Sequence, residues 1–173
     1  MAKIKGMMMK KFFFAGFAMA SLSLMGFNHS KWKENDLAGL WDLVSVENIA
    51  ADNSVSYPYG EKPSGRMMID AEGNYMVEIY TSVRAKIASG SKSTATPEEN
   101  AMMVKGSNAH YGKVIIDPET KTLVFKPQKA FFPNWEGQDL KSTYSLENGI
   151  LKNYSSNTTF GGSKAIVTWE KKK

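Results

Sequence analysis

The chain has no cysteine and only two histidines among its 173 residues. The lack of cysteine excludes disulfide bonds, thiolate metal ligands, cysteine nucleophiles and a lipid attached to a cysteine. The two histidines, His29 and His110, do not form a local pair such as the His-x-x-x-His spacing of zinc proteins. No glycine-rich phosphate-binding loop is present either. We therefore expect no metal site, no bound cofactor and no nucleophilic triad.

The N-terminal thirty residues have no acidic side chain and combine four lysines with an apolar run from Phe12 to Phe27. A basic segment followed by an apolar one is typical of a secretory signal. The run falls short of the ~20 apolar residues that a membrane-spanning helix needs. Residues 1–30 are therefore predicted to be a secretory signal and residues 31–173 one domain, exported and soluble in a periplasm or outside the cell. The alternative is a retained N-terminal anchor, which would be the only contact with a membrane.

The net charge of +5 comes mostly from this N-terminal segment. The chain has 22 basic and 17 acidic residues, and 18 basic residues remain without the four N-terminal lysines. The predicted mature protein is thus almost neutral. It also has no basic stripe with interleaved aromatic side chains, so nucleic acid is not expected as a partner.

The predicted domain consists of short strand-like segments separated by turns. Aromatic and β-branched residues recur between Gly, Pro and Asn, a pattern typical of an all-β sandwich or barrel. Tight hairpins are expected at Gly73 and at Asn148-Gly149, the second of type I′. Eight strands are predicted, over residues 40–47, 65–70, 74–81, 110–116, 121–126, 140–146, 150–156 and 164–171.

One short helix is predicted between the third and fourth strands. Thr96 supplies a capping hydroxyl, Pro97 fits the first helical position, and Glu99 follows three residues after the cap. The helix is expected to end at Val104 or Lys105, before Gly106.

Several short motifs, in their order along the chain, resemble the lipocalin-like domain family, with this chain as an exported bacterial member. The motifs are Gly39-Leu40-Trp41, Tyr57-Pro58-Tyr59-Gly60, Thr96-Pro97-Glu98-Glu99, His110-Tyr111-Gly112, Phe132-Pro133-Asn134-Trp135 and Thr168-Trp169-Glu170. The resemblance spans residues 37–171. It implies an all-β fold, an eight-stranded antiparallel lipocalin-like barrel with one short helix. Such a barrel is either filled by side chains or holds one small ligand.

Strand alternation assigns the residues of the barrel interior. If Trp41 plugs one end, Leu43, Ser45 and Glu47 share its inward face. His110 lies beside Tyr111 and is therefore expected on the outside. Tyrosine hydroxyls are expected to contribute to the cavity. The predicted ligand-binding residues are Leu43, Ser45, Glu47, Met67, Tyr75, Val77, Tyr111 and Tyr144. The aromatic turn around Phe132 and Trp135 is interpreted either as a mouth that grips a ligand or as a structural corner.

The favoured function is non-catalytic binding of a small apolar or amphipathic molecule inside the barrel of a monomer or dimer. Two alternatives remain open. The first is a small enzyme of the isomerase or cyclase type that transfers protons, with Glu47 as the base. The second is a filled barrel that acts through its surface on a protein partner.

Overall fold

The computed structural model describes residues 36–156 and 158–173. The predicted secretory signal over residues 1–30 lies outside the described residues. Within the described part of the chain, no helix has the length and apolar content that crossing a membrane requires.

Eight long strands form one closed antiparallel barrel, in which each strand pairs with its neighbour in sequence and the last pairs with the first. A short additional strand pairs with the end of the first. The strands are β1 (Gly39–Ile49), β2 (Val55–Ser56), β3 (Ser64–Ile69), β4 (Asn74–Tyr80), β5 (Ser107–Asp117), β6 (Thr122–Ala130), β7 (Leu140–Glu147), β8 (Ile150–Ser155) and β9 (Lys164–Lys171). Closure pairs the sheet edges that would otherwise be free. The predicted eight-stranded antiparallel barrel is confirmed.

The two ends of the barrel differ in the length of their connections. Tight hairpins join β3 to β4, β5 to β6 and β7 to β8 at one end, which we call the closed end. The last of these turns has φ of 51° at Asn148 and 79° at Gly149, which confirms the type I′ prediction. The longer connections all lie at the other end, which we call the open end: residues 50–63, 81–106, 131–139 and 156–163.

Tightly packed side chains around Trp41 fill the closed end. This side chain is 0% exposed, and its indole Nε1 donates a hydrogen bond of 2.9 Å to the Leu37 carbonyl. The Lys171 ammonium lies 5.3 Å from the centre of the indole ring. Leu37, Ile69, Leu123 and Leu151 are each at most 1% exposed. Trp41 is therefore a structural plug, as predicted.

The helix lies in the connection between β4 and β5, at the open end. It is α1 (Pro97–Lys105), and it ends before Gly106 as predicted. The Thr96 hydroxyl accepts a hydrogen bond from the Glu99 N–H at 3.2 Å, and the Glu99 carboxylate accepts one from the Thr96 N–H at 2.8 Å. Together these two bonds form the predicted capping box.

Gly112 is required where β5 meets β6 at an irregular register. The pairing shifts between Tyr111 and Gly112, so that the two backbones approach closely. A Cβ atom at Gly112 would lie well inside contact distance of the Lys126 carbonyl oxygen and 2.8 Å from the Gln128 nitrogen. Backbone atoms at a barrel bulge cannot move aside as a flexible side chain can.

We expect Gly112→Ala to lower the free energy of unfolding by about 1–3 kcal/mol, the usual cost of overpacking. Urea unfolding followed by tryptophan fluorescence measures this loss. The matched control is Ala109→Ser, which adds one heavy atom to the outer face of the same strand and should change stability by less than about 0.5 kcal/mol. Equal stabilities of the two variants would contradict the close backbone approach.

Candidate functional site

A cavity of about 370 Å³ occupies the barrel between the packed closed end and the open end. Its walls are inward-facing side chains of strands all around the barrel. The apolar part of the wall includes Val46, Met67, Val77, Ile79, Phe125, Leu140 and Val167. Ligand cavities in proteins are roughly 300–1,000 Å³, so this space is large enough for one small molecule.

Aromatic side chains from the long connections cover the open end of the cavity. Tyr59 and Phe160 contact each other edge to face, with ring centroids 5.5 Å apart. Trp135, at the end of a short 3₁₀ turn (Pro133–Trp135), also lines the cavity, whereas Phe131 and Phe132 are exposed. The aromatic turn is thus a structural corner that also supplies one wall of the mouth.

His110 lies inside the barrel and lines this cavity. Its Nδ1 and the Tyr75 hydroxyl are joined by a hydrogen bond of 2.9 Å, and its ring contacts Phe125 and Trp135 edge to face. Burial lowers the pKa of His110 to about 4, because the charged imidazolium would lose its hydration. Burial likewise raises the pKa of Tyr75. The pair is therefore uncharged at neutral pH.

Five buried polar atoms in the described residues have no hydrogen-bond partner, and all five belong to residues that line the cavity. Their side chains come from five different strands, β1, β5, β7, β8 and β9. The atoms are Asn48 Oδ1, Asn108 Oδ1, Ser142 Oγ, Asn153 Oδ1 and Trp169 Nε1. The interior is thus more polar than the sequence predicted.

The predictions that Tyr111 faces the interior and that His110 faces outward are both wrong. Tyr111 is 47% exposed and lies on the outer face, opposite Met76 of β4. Gly112 and Val114 are buried, so the alternation of β5 places His110 inside and Tyr111 outside.

The predicted inward orientation of Ser45 and Glu47 is also wrong. The pairing of β1 with β9 shifts between Leu43 and Ser45, so Val44 is an extra residue in β1. Beyond this bulge the buried residues are Val46 and Asn48. Glu47 borders the cavity along the strand, but its side chain belongs to the opposite face, where it accepts a hydrogen bond from the Ser45 hydroxyl at 3.2 Å.

The other predicted ligand-binding residues either line the cavity or pack in the hydrophobic core. Met67 and Val77 line the cavity, and their role in binding a ligand stays a prediction. Leu43 and Tyr75 pack in the core, where Tyr75 positions His110. Tyr144 is buried toward the closed end, with the Lys121 ammonium 5.6 Å from its ring centre.

Sequence reasoning missed the three cavity asparagines, because a polar residue in a strand is first assigned to the solvent face. The available indication was alternation with buried neighbours, since Asn48 follows Val46 and Asn153 follows Leu151 by two residues. No three His, Cys, Asp or Glu side chains within residues 36–156 and 158–173 are grouped closely enough to hold a metal ion.

The barrel agrees with the comparison with known families. The family model of the lipocalin-like domain matches residues 38–172, which is most of the chain. No curated protein matches the chain in sequence. By this match and by its closed eight-stranded barrel, the chain belongs to the lipocalin-like domain family.

Proposed function

We propose that the protein binds one small amphipathic molecule inside its barrel without altering it chemically. The interior cavity of about 370 Å³ carries this proposal. Its closed end is packed around Trp41, and its open end is covered by side chains on loops, which gives a ligand one route of entry. Apolar walls with a few polar groups are the usual composition of small-molecule sites.

The cavity favours binding over the two alternative functions. A barrel that acted only through its surface would need no internal space of this size. The enzyme hypothesis depended on an inward Glu47, whose side chain belongs to the outer face of β1 beyond the bulge. All residues that line the cavity come from one chain, so either a monomer or a dimer could bind the ligand.

We further propose that the protein acts outside the cytoplasm. The support is the basic and then apolar pattern of residues 1–30. An exported barrel of this kind would carry or sequester its ligand in a periplasm or outside the cell. Mass spectrometry of the protein recovered from the cell envelope would test this, because the proposal expects a mature N-terminus near residue 31.

Filling the cavity should abolish binding. We expect Val77→Phe, on β4, and Ala165→Leu, on β9, each to weaken binding of the neutral fluorescent probe phenylnaphthylamine at least tenfold. Both side chains line the cavity, so each enlargement occupies space that the probe needs. Fluorescence titration measures the dissociation constant, and circular dichroism establishes that each variant is folded.

The matched control for these two variants is Ile115→Phe. Ile115 is 53% exposed on the outer face of β5, so its enlargement should leave the affinity for the probe unchanged. If folded Val77→Phe and Ala165→Leu proteins bind the probe as tightly as the wild type does, the interior is not the binding site.

A further inference from the structure

We infer that the ligand is an uncharged molecule, about the size of a small ring compound, that carries hydroxyl or amide N–H groups beside an apolar body. The inference rests on the proposed function, because it names the chemical class that this same cavity would select. The unpartnered polar atoms of the cavity wall carry it.

Three of these atoms are asparagine amide oxygens, which accept hydrogen bonds and cannot donate them. Burial raises the pKa of Tyr59, and a hydrogen bond with the Asn108 side chain partly opposes this effect. The Asn108 oxygen is left as the unpartnered acceptor. Hydrogen-bond donors on the ligand would satisfy such oxygens.

The two remaining atoms have different hydrogen-bonding capacity. Trp169 Nε1 only donates, and the Ser142 hydroxyl can donate or accept. A hydroxyl group on a ligand can serve either kind of partner, since it both donates and accepts. A purely apolar ligand would leave all five atoms unsatisfied, and each buried unsatisfied group costs about 1–3 kcal/mol.

The positions of these atoms suit a ligand that forms hydrogen bonds on several of its sides. Asn48 and Asn108 lie near the open end, Asn153 lies farther down the barrel, and Trp169 lies nearest the closed end. All five atoms are shielded from solvent. Small rotations of the asparagine side chains would turn their amide groups toward a bound ligand.

The charge of the wall argues for a neutral molecule. The ionisable pair inside the barrel, Tyr75 and His110, is uncharged. Of the two charged residues that border the cavity, Glu47 belongs to the outer face of β1 and Lys141 is exposed on β7. A charged ligand taken into this interior would lose its hydration without gaining a charged partner. Phe125, Trp135 and Val167 supply apolar surface for the body of the molecule.

Three probes of similar shape test the inference, namely naphthalene, a dihydroxynaphthalene and naphthoate. We expect the wild-type protein to bind the uncharged diol at least tenfold more tightly than naphthalene, because its hydroxyl groups reach polar atoms of the wall. Naphthoate should bind at least tenfold more weakly than the diol. Titrations followed by intrinsic fluorescence or calorimetry give the three dissociation constants.

The variants Asn108→Leu and Asn153→Leu identify the atoms responsible. Each should weaken diol binding about tenfold while leaving naphthalene binding unchanged or tighter. Asn153→Leu should not melt at a lower temperature than the wild type, since it removes a buried acceptor that has no partner. Asn108→Leu also removes the hydrogen bond to Tyr59 and should melt at a slightly lower temperature. The matched control is Asn100→Leu on the exposed helix, which should bind all probes as the wild type does.

The outcomes separate this inference from the proposed function. Equal affinity for naphthalene and the diol, or diol binding that survives both cavity substitutions, would overturn the inference and leave interior binding intact. Tighter binding of naphthoate than of the diol would also overturn it. Failure of the wild type to bind any of the three probes would overturn the proposed function itself.

Discussion

Trp41→Ala should lower the free energy of unfolding by about 3–5 kcal/mol, the range for truncating a large buried aromatic side chain. The indole is 0% exposed at the closed end and fills the space between the surrounding leucine and isoleucine side chains. The substitution also removes the hydrogen bond from Nε1 to the Leu37 carbonyl. Because small domains are stable by only about 5–15 kcal/mol, this one change could leave much of the protein unfolded. Urea unfolding at equilibrium measures the loss.

Trp135→Ala is the matched control for this substitution. Trp135 is only partly buried, and it covers the mouth of the cavity instead of plugging the closed end. Its truncation should cost clearly less stability but should weaken binding of the naphthalene probes. If the two alanine variants lost equal stability, the assignment of Trp41 as the main packing element of the closed end would be wrong.

The sequence could predict the elements whose chemistry is local. The type I′ turn needs positive φ at two successive residues, and Asn148-Gly149 is a pair that adopts it at low cost. The capping box of α1 needs only Thr96 and Glu99 at the right spacing. In both cases the determining residues are neighbours in the chain, so no knowledge of the rest of the fold was required.

The orientation of β1 beyond Val44 could not be predicted in the same way. A bulge is a property of two paired strands, and the shift in β1 exists only relative to its partner residues Thr168 and Trp169 in β9. One extra residue exchanges the two faces of everything that follows it, because side chains alternate with a period of two. Strict alternation from Trp41 therefore placed Glu47 inside, where Asn48 lies instead.

Sequence reasoning missed the polar lining of the cavity for a different reason. Burying an unpartnered amide is unfavourable, so a polar strand residue is assigned outward unless something else compensates. That preference assumes a folded chain with no ligand. Asn48, Asn108 and Asn153 depart from this preference, and a polar ligand of the inferred class would supply the missing partners. Sequence patterns that optimise stability alone therefore miss such a site.

His110 should make the protein more sensitive to acid than a variant without an ionisable group at this position. Burial lowers the pKa of His110 in the folded protein to about 4, against 6.5 as the ordinary value. Between these values the unfolded chain binds a proton that the folded protein does not, so stability falls as the pH falls. Linkage gives a loss of about 3 kcal/mol from pH 7 to pH 4. Urea unfolding at pH 7, 6, 5 and 4 measures it.

The comparison that isolates His110 is with His110→Gln, which keeps a hydrogen-bonding side chain beside the Tyr75 hydroxyl but does not titrate. Carboxylates with lowered pKa values, such as Asp70 and Glu136, also lose their stabilising interactions in acid, but they do so equally in both proteins. The difference between the two pH profiles therefore reports on His110. It should grow steadily below pH 6.5 and reach about 3 kcal/mol near pH 4. Parallel profiles would mean that the imidazole takes up a proton in the folded state, and that the cavity around it is open to water.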